Sequence, residues 1–420
     1  MRRRTMNRAA LLLLTLSAAM GCGSHEGDAP AYQGYPDACA SCTRPDGSSP
    51  DSGFPSSDAE ADALQPLADA AVGPLVTVDV PDAPCSQTTA ARVTVMDPEP
   101  LLITYDQMGI FGARRFAFDS GTLALLTFDA DGSNSSPIFY GNLLAVAPEA
   151  DKLAVLSLNA ASALSLELHD ASAQPLGGAL EITQQPTSSH RLAVGPDSIF
   201  IAWNNENRLQ GDFVKPDTSA TLAGFDIGAS SCGVSNCKPA AAWNGRDFSL
   251  SWSRMLQDRR YKISWVPIAA DGNWQFAKTI ALSDDPVSLV DMVHISDGYA
   301  LLVTEGFPSR DAVLVLLDDY GNVKVPAYRL LGATEGWGLA NVGAELGVVV
   351  RLSDGRGAFR PLSLTGEALS PWVCLDDSAP DSGFNARVAV AAEADGYDFV
   401  VRMTDGSATS LRTDHLGMMR

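Results

Sequence analysis

The sequence is poor in charge and poorer still in base: 19% of its 420 residues are charged, with 29 Lys and Arg against 50 Asp and Glu. A surface that grips phosphates needs clustered bases to displace counterions, so this balance excludes a nucleic-acid partner. Catalytic constellations are missing too. The five histidines, His25, His169, His190, His294 and His415, are scattered without H-E-x-x-H or any other ligand spacing, so no metal centre is expected. No Gly-x-Ser-x-Gly elbow and no Gly-rich phosphate loop occurs, and no cofactor is expected. Past Pro74 there is almost no helical periodicity, and no apolar run after the N-terminus is long enough to span a bilayer. What remains, 46% hydrophobic residues with 36 Gly and 25 Pro, is too apolar for a disordered chain and too long for one ordinary core.

The N-terminus stands apart from the rest. Arg2, Arg3, Arg4 and Arg8 precede an apolar run from Ala9 to Ala19, and Ala19-Met20-Gly21-Cys22 follows. This is the order of a signal peptide: a basic region, a short apolar region and a cleavage site. Ending on Gly-Cys, it resembles a bacterial lipoprotein signal, which implies acylation of the Cys22 thiol and cleavage just before it. Residues 1–21 are therefore expected to be removed, taking the formal charge from −21 to −25 because four Arg and no acid leave with them. The lipid on Cys22 would then be the membrane contact, placing the protein in the cell envelope, anchored at the outer membrane. From Gly23 to Ala71 the chain is Gly, Ser, Pro, Asp and Ala, too polar and too small to offset its ordering entropy. Residues 22–73 are expected to be a disordered tether, with a reach of roughly 40 Å.

The remainder, residues 74–420, repeats. Runs of strand character recur at Leu101 to Asp106, Leu153 to Leu158, Ile199 to Asn204, Phe248 to Ser253, Tyr299 to Thr304, Leu346 to Arg351 and Asp398 to Met403. Each follows a turn: Pro98-Glu99, Ala150-Asp151, Pro196-Asp197, Asn244-Gly245, Asp297-Gly298, Gly343-Ala344 and Asp395-Gly396. In Phe248-Ser249-Leu250-Ser251-Trp252-Ser253 the apolar residues alternate, the pattern of a strand with one buried face. A second turn series lies a little over twenty residues after the first, among it Asp119-Ser120-Gly121, Asp271-Gly272-Asn273, Tyr320-Gly321-Asn322, Thr365-Gly366 and His415-Leu416-Gly417. Two turns per repeat imply four antiparallel strands, and a period of about fifty residues implies stacked units. The fold class is therefore all-β, a β-propeller of about seven four-stranded blades. The last repeat stops after its second turn and lacks its outermost strand, for which Leu75 to Val80 is the expected filler. With blades reading like Trp243-Asn244-Gly245 and Ala270-Asp271-Gly272-Asn273, residues 74–420 resemble the lipid-anchored propeller lipoproteins of predatory and soil bacteria, a resemblance that implies a fold and an export route and no reaction.

Of seven Cys, six remain after Cys22, an even number for an oxidising compartment. Cys39 and Cys42 are expected to form a local disulfide, and Cys232 with Cys237 another. Cys85 and Cys374 are then expected to join, because strand order sets the end of the N-terminal strand beside the outer strand of the penultimate blade. Asp129-Ala130-Asp131-Gly132-Ser133-Asn134 begins like a calcium loop but lacks its terminal bidentate acid, since Gly141 stands there, so a solvated turn is expected. Ser235-Asn236-Cys237-Lys238 matches Ser-x-x-Lys by chance. The Trp at 203, 243, 252, 265, 274, 337 and 372 are expected to pack between blades.

If the tight turns define one face, the other face should carry longer connections, around Asn204 to Gly211, Arg254 to Arg260, Glu305 to Arg310, Ser353 to Gly357 and Thr404 to Ala408. Arg254, Asp258, Arg259, Arg260, Glu305, Arg310, Asp354, Arg356 and Asp405 would converge there as ligand-binding candidates. The expected function is a non-catalytic binding scaffold for a protein or glycan. The alternative is a polysaccharide hydrolase or lyase using loop carboxylates such as Asp258 and Glu305.

Overall fold

The computed structural model describes residues 72, 74–87, 93–96, 107–119, 124–139, 143–149, 151–172, 174–185, 187–205, 208–227, 238–274, 277–306, 310–324, 326–375, 388–403 and 407–418. All lie within one unit, Ser57–Arg420. Apart from Val72, the segments read as signal peptide and tether, with Cys22, Cys39 and Cys42, lie outside the described residues, as do Cys232, Cys237 and Asp405.

The described strands form seven sheets and no helix. Blade 1 is Gln107–Phe111, Arg114–Asp119, Ala124–Asp129 and Ser136–Phe139, and blade 2 is Leu143–Glu149, Lys152–Leu158, Leu164–His169 and Leu180–Thr183. Blade 3 is Ser188–Val194, Ile199–Asn205, Arg208–Val214 and Thr221–Asp226, and blade 4 is Pro239–Trp243, Phe248–Met255, Tyr261–Ile268 and Lys278–Ser283. Blade 5 is Val287–Ile295, Gly298–Glu305, Asp311–Asp318 and Ala327–Leu330, and blade 6 is Ala333–Val342, Glu345–Leu352, Gly357–Ser363 and Val373–Cys374. Blade 7 takes Val388–Glu393, Gly396–Arg402 and Ala408–Asp414 from the C-terminus and Val93–Met96 from the N-terminus. Strands are lettered a to d outward in each blade. Each a strand touches the a strands of both neighbouring blades, and that of blade 7 touches that of blade 1, so the ring closes.

The core follows from this ring. Among the described residues there are seven buried clusters, and each is shared by two adjacent blades: Phe200 with Phe248 between blades 3 and 4, Trp265 with Tyr299 between 4 and 5, and Val349 with Phe399 between 6 and 7. Most blade surface is therefore interior on both sides. The one-sided reading of Phe248 to Ser253 is corrected accordingly. Phe248, Leu250 and Trp252 join the cluster shared with blade 3, but Ser249, Ser251 and Ser253 are buried too. The Ser251 hydroxyl donates to the Ser264 carbonyl at 2.8 Å, and Ser253 Oγ accepts the Leu289 N–H of blade 5 at 3.0 Å. That N–H adjoins a register shift between Leu289 and Asp291, where the ladder is interrupted, so a hydroxyl of the preceding blade takes the place of a strand partner. Thr304 Oγ1 accepts the Gly336 N–H of blade 6 in the same way, at 3.1 Å. Of the tryptophans, 203, 252, 265, 337 and 372 are buried, Trp243 is half-buried and Trp274 is exposed.

Six of the seven aligned runs coincide with b strands. The first does not: Leu101 to Asp106 lies outside the described residues, and the b strand of blade 1 is Arg114–Asp119, entered through the Gly112-Ala113 turn. Asp119-Ser120-Gly121 accordingly follows strand b, and the c–d turn of blade 1 is the calcium-like stretch after Asp129. That turn has a repeated form. In blades 1, 4, 5, 6 and 7 the last residue of strand c or its successor donates its N–H four residues ahead, and the N–H three residues on donates back to its carbonyl, as in Asp318 N to Asn322 O at 2.9 Å and Gly321 N to Asp318 O at 3.0 Å. The position three residues on has positive φ in every one of the five, at Gly132, Gly272, Gly321, Gly366 and Gly417. Asp131 Oδ1 caps the blade 1 copy by accepting the Ser133 N–H at 2.9 Å.

Ring closure uses a different N-terminal strand from the one expected. Val93–Met96 pairs antiparallel with Ala408–Asp414 and completes blade 7. The stretch expected to do this, Leu75 to Val80, instead supplies Thr77–Val80 to blade 5 as a fifth strand, parallel to Ala327–Leu330, and Ser86–Gln87 adds to blade 6 parallel to Val373–Cys374. The N-terminal segment thus runs outside three consecutive blades before closing the ring. The expected disulfide is present: Cys85 joins Cys374, 289 residues away, with Cα atoms 5.5 Å apart.

Turn glycines also set the spacing between blades. Gly321 has φ +76°, and a Cβ there would lie 2.1 Å from the Trp265 ring of blade 4. Gly245, with φ +94°, has nothing within 4 Å of the same position. Gly321→Ala is expected to cost about 2–4 kcal/mol, combining the left-handed backbone with overpacking, whereas Gly245→Ala pays only the backbone part, about 1 kcal/mol. Denaturant midpoints of the two variants at unchanged m measure the difference; equal losses would show that the Trp265 contact is immaterial.

Candidate functional site

Strand direction assigns the connections to two faces. The a–b and c–d turns share one, and the b–c turns and interblade links share the other. The described candidate residues do lie on or beside b–c connections, but in blades 4 and 6 these are not long loops. In blade 3, strands b and c are paired out to Asn205 and Arg208. In blade 4, Leu256 N donates to Arg260 O at 2.7 Å and Arg259 N to Leu256 O at 3.0 Å, and in blade 6 Leu352, Gly355 and Arg356 repeat these bonds at 2.9 Å. The expectation of extended loops is corrected for blades 4 and 6: both of these connections are tight hairpins, because b and c are paired to their ends.

The blade 4 and blade 6 turns are built alike. Asp258 accepts the Arg260 N–H at 3.1 Å and the Arg260 Nε at 2.7 Å, and Asp354 accepts the Arg356 N–H at 3.1 Å and the Arg356 Nε at 2.8 Å. Between them stands the residue with positive φ, Arg259 at 69° and Gly355 at 91°. An acid at the third turn position and an arginine at the fifth therefore make a Asp-x-Arg clamp that closes the turn. The Arg260 backbone N–H, then its side chain, holds the Asp258 carboxyl below its usual range. For Asp354 the Arg356 side chain is the larger cause and its backbone N–H contributes further.

Blade 5 lies between these two. Glu305 ends its strand b and accepts the Ser283 hydroxyl at 2.9 Å, and the next residue, Gly306, donates to the Pro286 carbonyl at 2.9 Å. Arg310 is exposed, as are Asp258, Arg259 and Arg260, while Arg254, Glu305, Asp354 and Arg356 are half-buried. Eight of the nine candidates thus sit toward one face of three consecutive blades, Arg254 and Glu305 near the ends of b strands and the others on the connections that follow.

Two groups escaped the sequence reading. In blade 3 the same face carries Arg208, whose Nη2 lies 2.8 Å from Asp226 Oδ2, and Gln210, whose amide donates to that carboxylate at 2.9 Å. On the opposite face, at the seam of blades 7 and 1, buried Arg115 pairs with Asp398 and Glu393, while Arg412 reaches Asp398 at 2.9 Å and Glu393 at 3.1 Å. A charge set inside an apolar strand, as in Gly396-Tyr397-Asp398-Phe399-Val400, was the available signal. Along the a strands, Asp291 accepts the Leu339 N–H of blade 6 at 3.0 Å, and the buried imidazole of His190, pushed down to about 4 by desolvation and then by Arg191, shares a hydrogen bond with Thr187 at 2.9 Å. Among the described residues no group of three or more His, Cys, Asp or Glu is disposed to hold a metal ion.

No family model and no curated protein matches the sequence. Solved structures do match in shape. A puromycin-hydrolyzing peptidase from Mycobacterium tuberculosis aligns at 12% identity over 82% of this chain and 55% of its own, with a TM-score of 0.50. The WD40 domain of Toxoplasma gondii coronin aligns at 10% identity over 80% and 87%, TM-score 0.47, and the Dos1 propeller at 13% over 76% and 81%, TM-score 0.44. This chain spans about half the length of the peptidase. At such identities the likeness concerns the fold: the protein is similar to β-propellers and is itself a seven-bladed one.

One ionisable group makes a measurable signature. Asp212, in strand c of blade 3, is flanked in the sheet by Ile201 and Gly224, and burial raises its carboxyl to about 6. A raised pKa means that the native state holds the proton longer than the unfolded chain, so stability falls as pH rises from about 4 to about 6. Asp212→Asn is expected to stabilise the protein by about 1 kcal/mol at pH 7.5, once solvent screening of this half-buried group is allowed for, and to change nothing at pH 3.5. Urea titrations at the two pH values check this; an equal effect at both would show that ionisation is not the cause.

Proposed function

We propose that this chain is an envelope lipoprotein, held by lipid on Cys22, whose propeller uses its b–c face as a non-catalytic scaffold for a protein or glycan ligand. The carrying observation is the repeated Asp-x-Arg clamp. Asp258 and Asp354 are held ionised by the arginines two residues on, so each turn offers a fixed carboxylate beside a fixed guanidinium. Such groups suit bidentate recognition of sugar hydroxyls or of side-chain charges. They do not suit general-acid catalysis at neutral pH, which needs a carboxyl with a raised pKa. A rigid ring that presents them also lowers the ordering cost of binding.

Two experiments test this reading. Envelope polysaccharides and envelope protein extracts are titrated against the soluble domain, and saturable binding without products is expected, with Asp258→Asn plus Arg260→Gln weakening it by about tenfold, equivalent to about 1.4 kcal/mol. Product formation abolished by Asp258→Ala and Glu305→Ala would replace the scaffold with the hydrolase or lyase. For the anchor, Cys22→Ala is expected to move the protein from the membrane to the soluble fraction; a variant that stays on the membrane with unchanged mass would overturn it.

A further inference from the structure

The Cys85–Cys374 bond has two chemically different ends. Cys374 is 1% exposed, seated at the end of the outer strand of blade 6. Cys85 is half-buried and lies on the N-terminal segment just before its two-residue pairing with that strand. The guanidinium of Arg356 donates to Cys374 Sγ from Nη1 at 3.0 Å. Its other nitrogens are committed to Asp354, Nε at 2.8 Å and Nη2 at 2.5 Å, which fixes the plane that points Nη1 at the sulfur.

We infer that this disulfide is a directional thiol-exchange site, opened by small-molecule thiols at Cys85 with Cys374 as the leaving group. Exchange requires a thiolate to approach one sulfur in line with the bond while the other departs, and the rate rises as the departing thiolate is better stabilised. Cys374 is buried within the blade, and half-buried Cys85 is the more accessible end of the bond. A thiolate leaving from Cys374 meets a charge-assisted donor already in place, and none is found beside Cys85 among the described residues. The step balances without a further reactant. The attacking thiolate forms a bond to Cys85 Sγ, the Cys85–Cys374 bond breaks, and its electron pair stays on Cys374, giving a mixed disulfide at Cys85 and a thiolate at Cys374.

The structural consequence is confined. Four residues, Thr77 to Val80, remain paired to blade 5, and the buried guanidinium of Arg360 still donates to the Pro81 carbonyl at 2.7 Å and to the Ser370 carbonyl at 2.8 Å. The pairing of Ser86–Gln87 with Val373–Cys374 depends most directly on the covalent link beside it, while Val93–Met96, which loses its nearest fixed point, stays paired to Ala408–Asp414. Cys85 is thus a modification site whose occupancy loosens the edge of blade 6 without opening the ring. Arg356 acts as a positioning residue for the leaving sulfur.

The test uses the full-length oxidised protein with glutathione, quenched with N-ethylmaleimide and mapped by mass spectrometry. The expected product carries glutathione on Cys85 and maleimide on Cys374, in excess over the reverse by about tenfold or more, and the preference disappears when the reaction is run in 6 M guanidinium. Arg356→Met is expected to slow native-state cleavage about fivefold or more while Arg356→Lys recovers part of the rate, with both variants checked for an unchanged denaturant midpoint. Glutathione on Cys374, an even mixture under native conditions, or an unchanged rate in Arg356→Met would overturn the inference. If Arg356→Met does not fold, the distribution of products in the unsubstituted protein still decides between the two directions.

Discussion

Every layer of this molecule depends on the ring being shut. A blade here has no solvent face of its own: its two broad surfaces are buried against its neighbours, and the seven clusters of core side chains exist only between blades. An open array would leave blade 1 and blade 7 each with an uncovered apolar face and an unpaired edge. Closure is therefore made at three depths. The a strands of the two blades meet at the channel, Val95 and Met96 join the cluster containing Phe128 and Val400, and Arg115 crosses the seam to Asp398 and Glu393. Exchanging buried charges for apolar side chains is often neutral in stability, so the ionic layer is better understood as a register device. Four charges neutralise one another only when blade 7 and blade 1 meet in one alignment.

The N-terminal segment extends that closure outward. It adds a parallel strand to blade 5, two residues to blade 6 and the outer strand to blade 7, with the disulfide between the second and third of these steps. A terminal strand is ordinarily the first to fray. Here fraying of Val93–Met96 is limited by the fixed point at Cys85. A link across 289 residues removes about 5–6 kcal/mol of chain entropy from the unfolded state in the loop-closure model. Arg360 reinforces the same junction from within blade 6, stacked 5.3 Å from the Trp372 ring and bonded to the Pro81 carbonyl.

What could be read from the sequence was what the chain decides locally. A hairpin turn that needs positive φ selects glycine or a short polar residue, so Asn244-Gly245, Asp271-Gly272 and Gly321-Asn322 announced the strand count and the period. The first repeat was misphased because its true a–b turn, Gly112-Ala113, has no Asn or Asp, whereas Pro98-Glu99 reads as a turn. The identity of the closing strand was not local. Leu75 to Val80 and Val93 to Met96 are equally extended and equally apolar, and which one completes blade 7 is decided by partners some three hundred residues away. The disulfide is legible in spite of this, since Cys374 lies on the outer strand of blade 6 in either arrangement. The charged residues of the b–c turns were visible, but their pairing was not: Asp258 and Arg260 look like two ligands for a third party until the turn folds them onto each other. Arg115 and Asp398, 283 residues apart, left only the trace of a charge in an apolar strand.

The pairing within those turns also bears on how the face can bind. In a chain this acidic, a cationic ligand would meet favourable potential over much of the surface and gain little discrimination from it. The b–c turns of blades 3, 4 and 6 are different, because each sets a guanidinium against a carboxylate within one blade and that pair cancels, with Arg259 leaving the blade 4 turn one positive charge over. Recognition by these pairs cannot come from net charge. It has to come from the geometry of several fixed donors and acceptors at once, and only a ligand long enough to reach more than one blade can use them together. The rigidity that the closed ring imposes on each turn is what makes such a multi-point match selective: a ligand with the wrong spacing would have to break a clamp to be accommodated, leaving a charge without its partner.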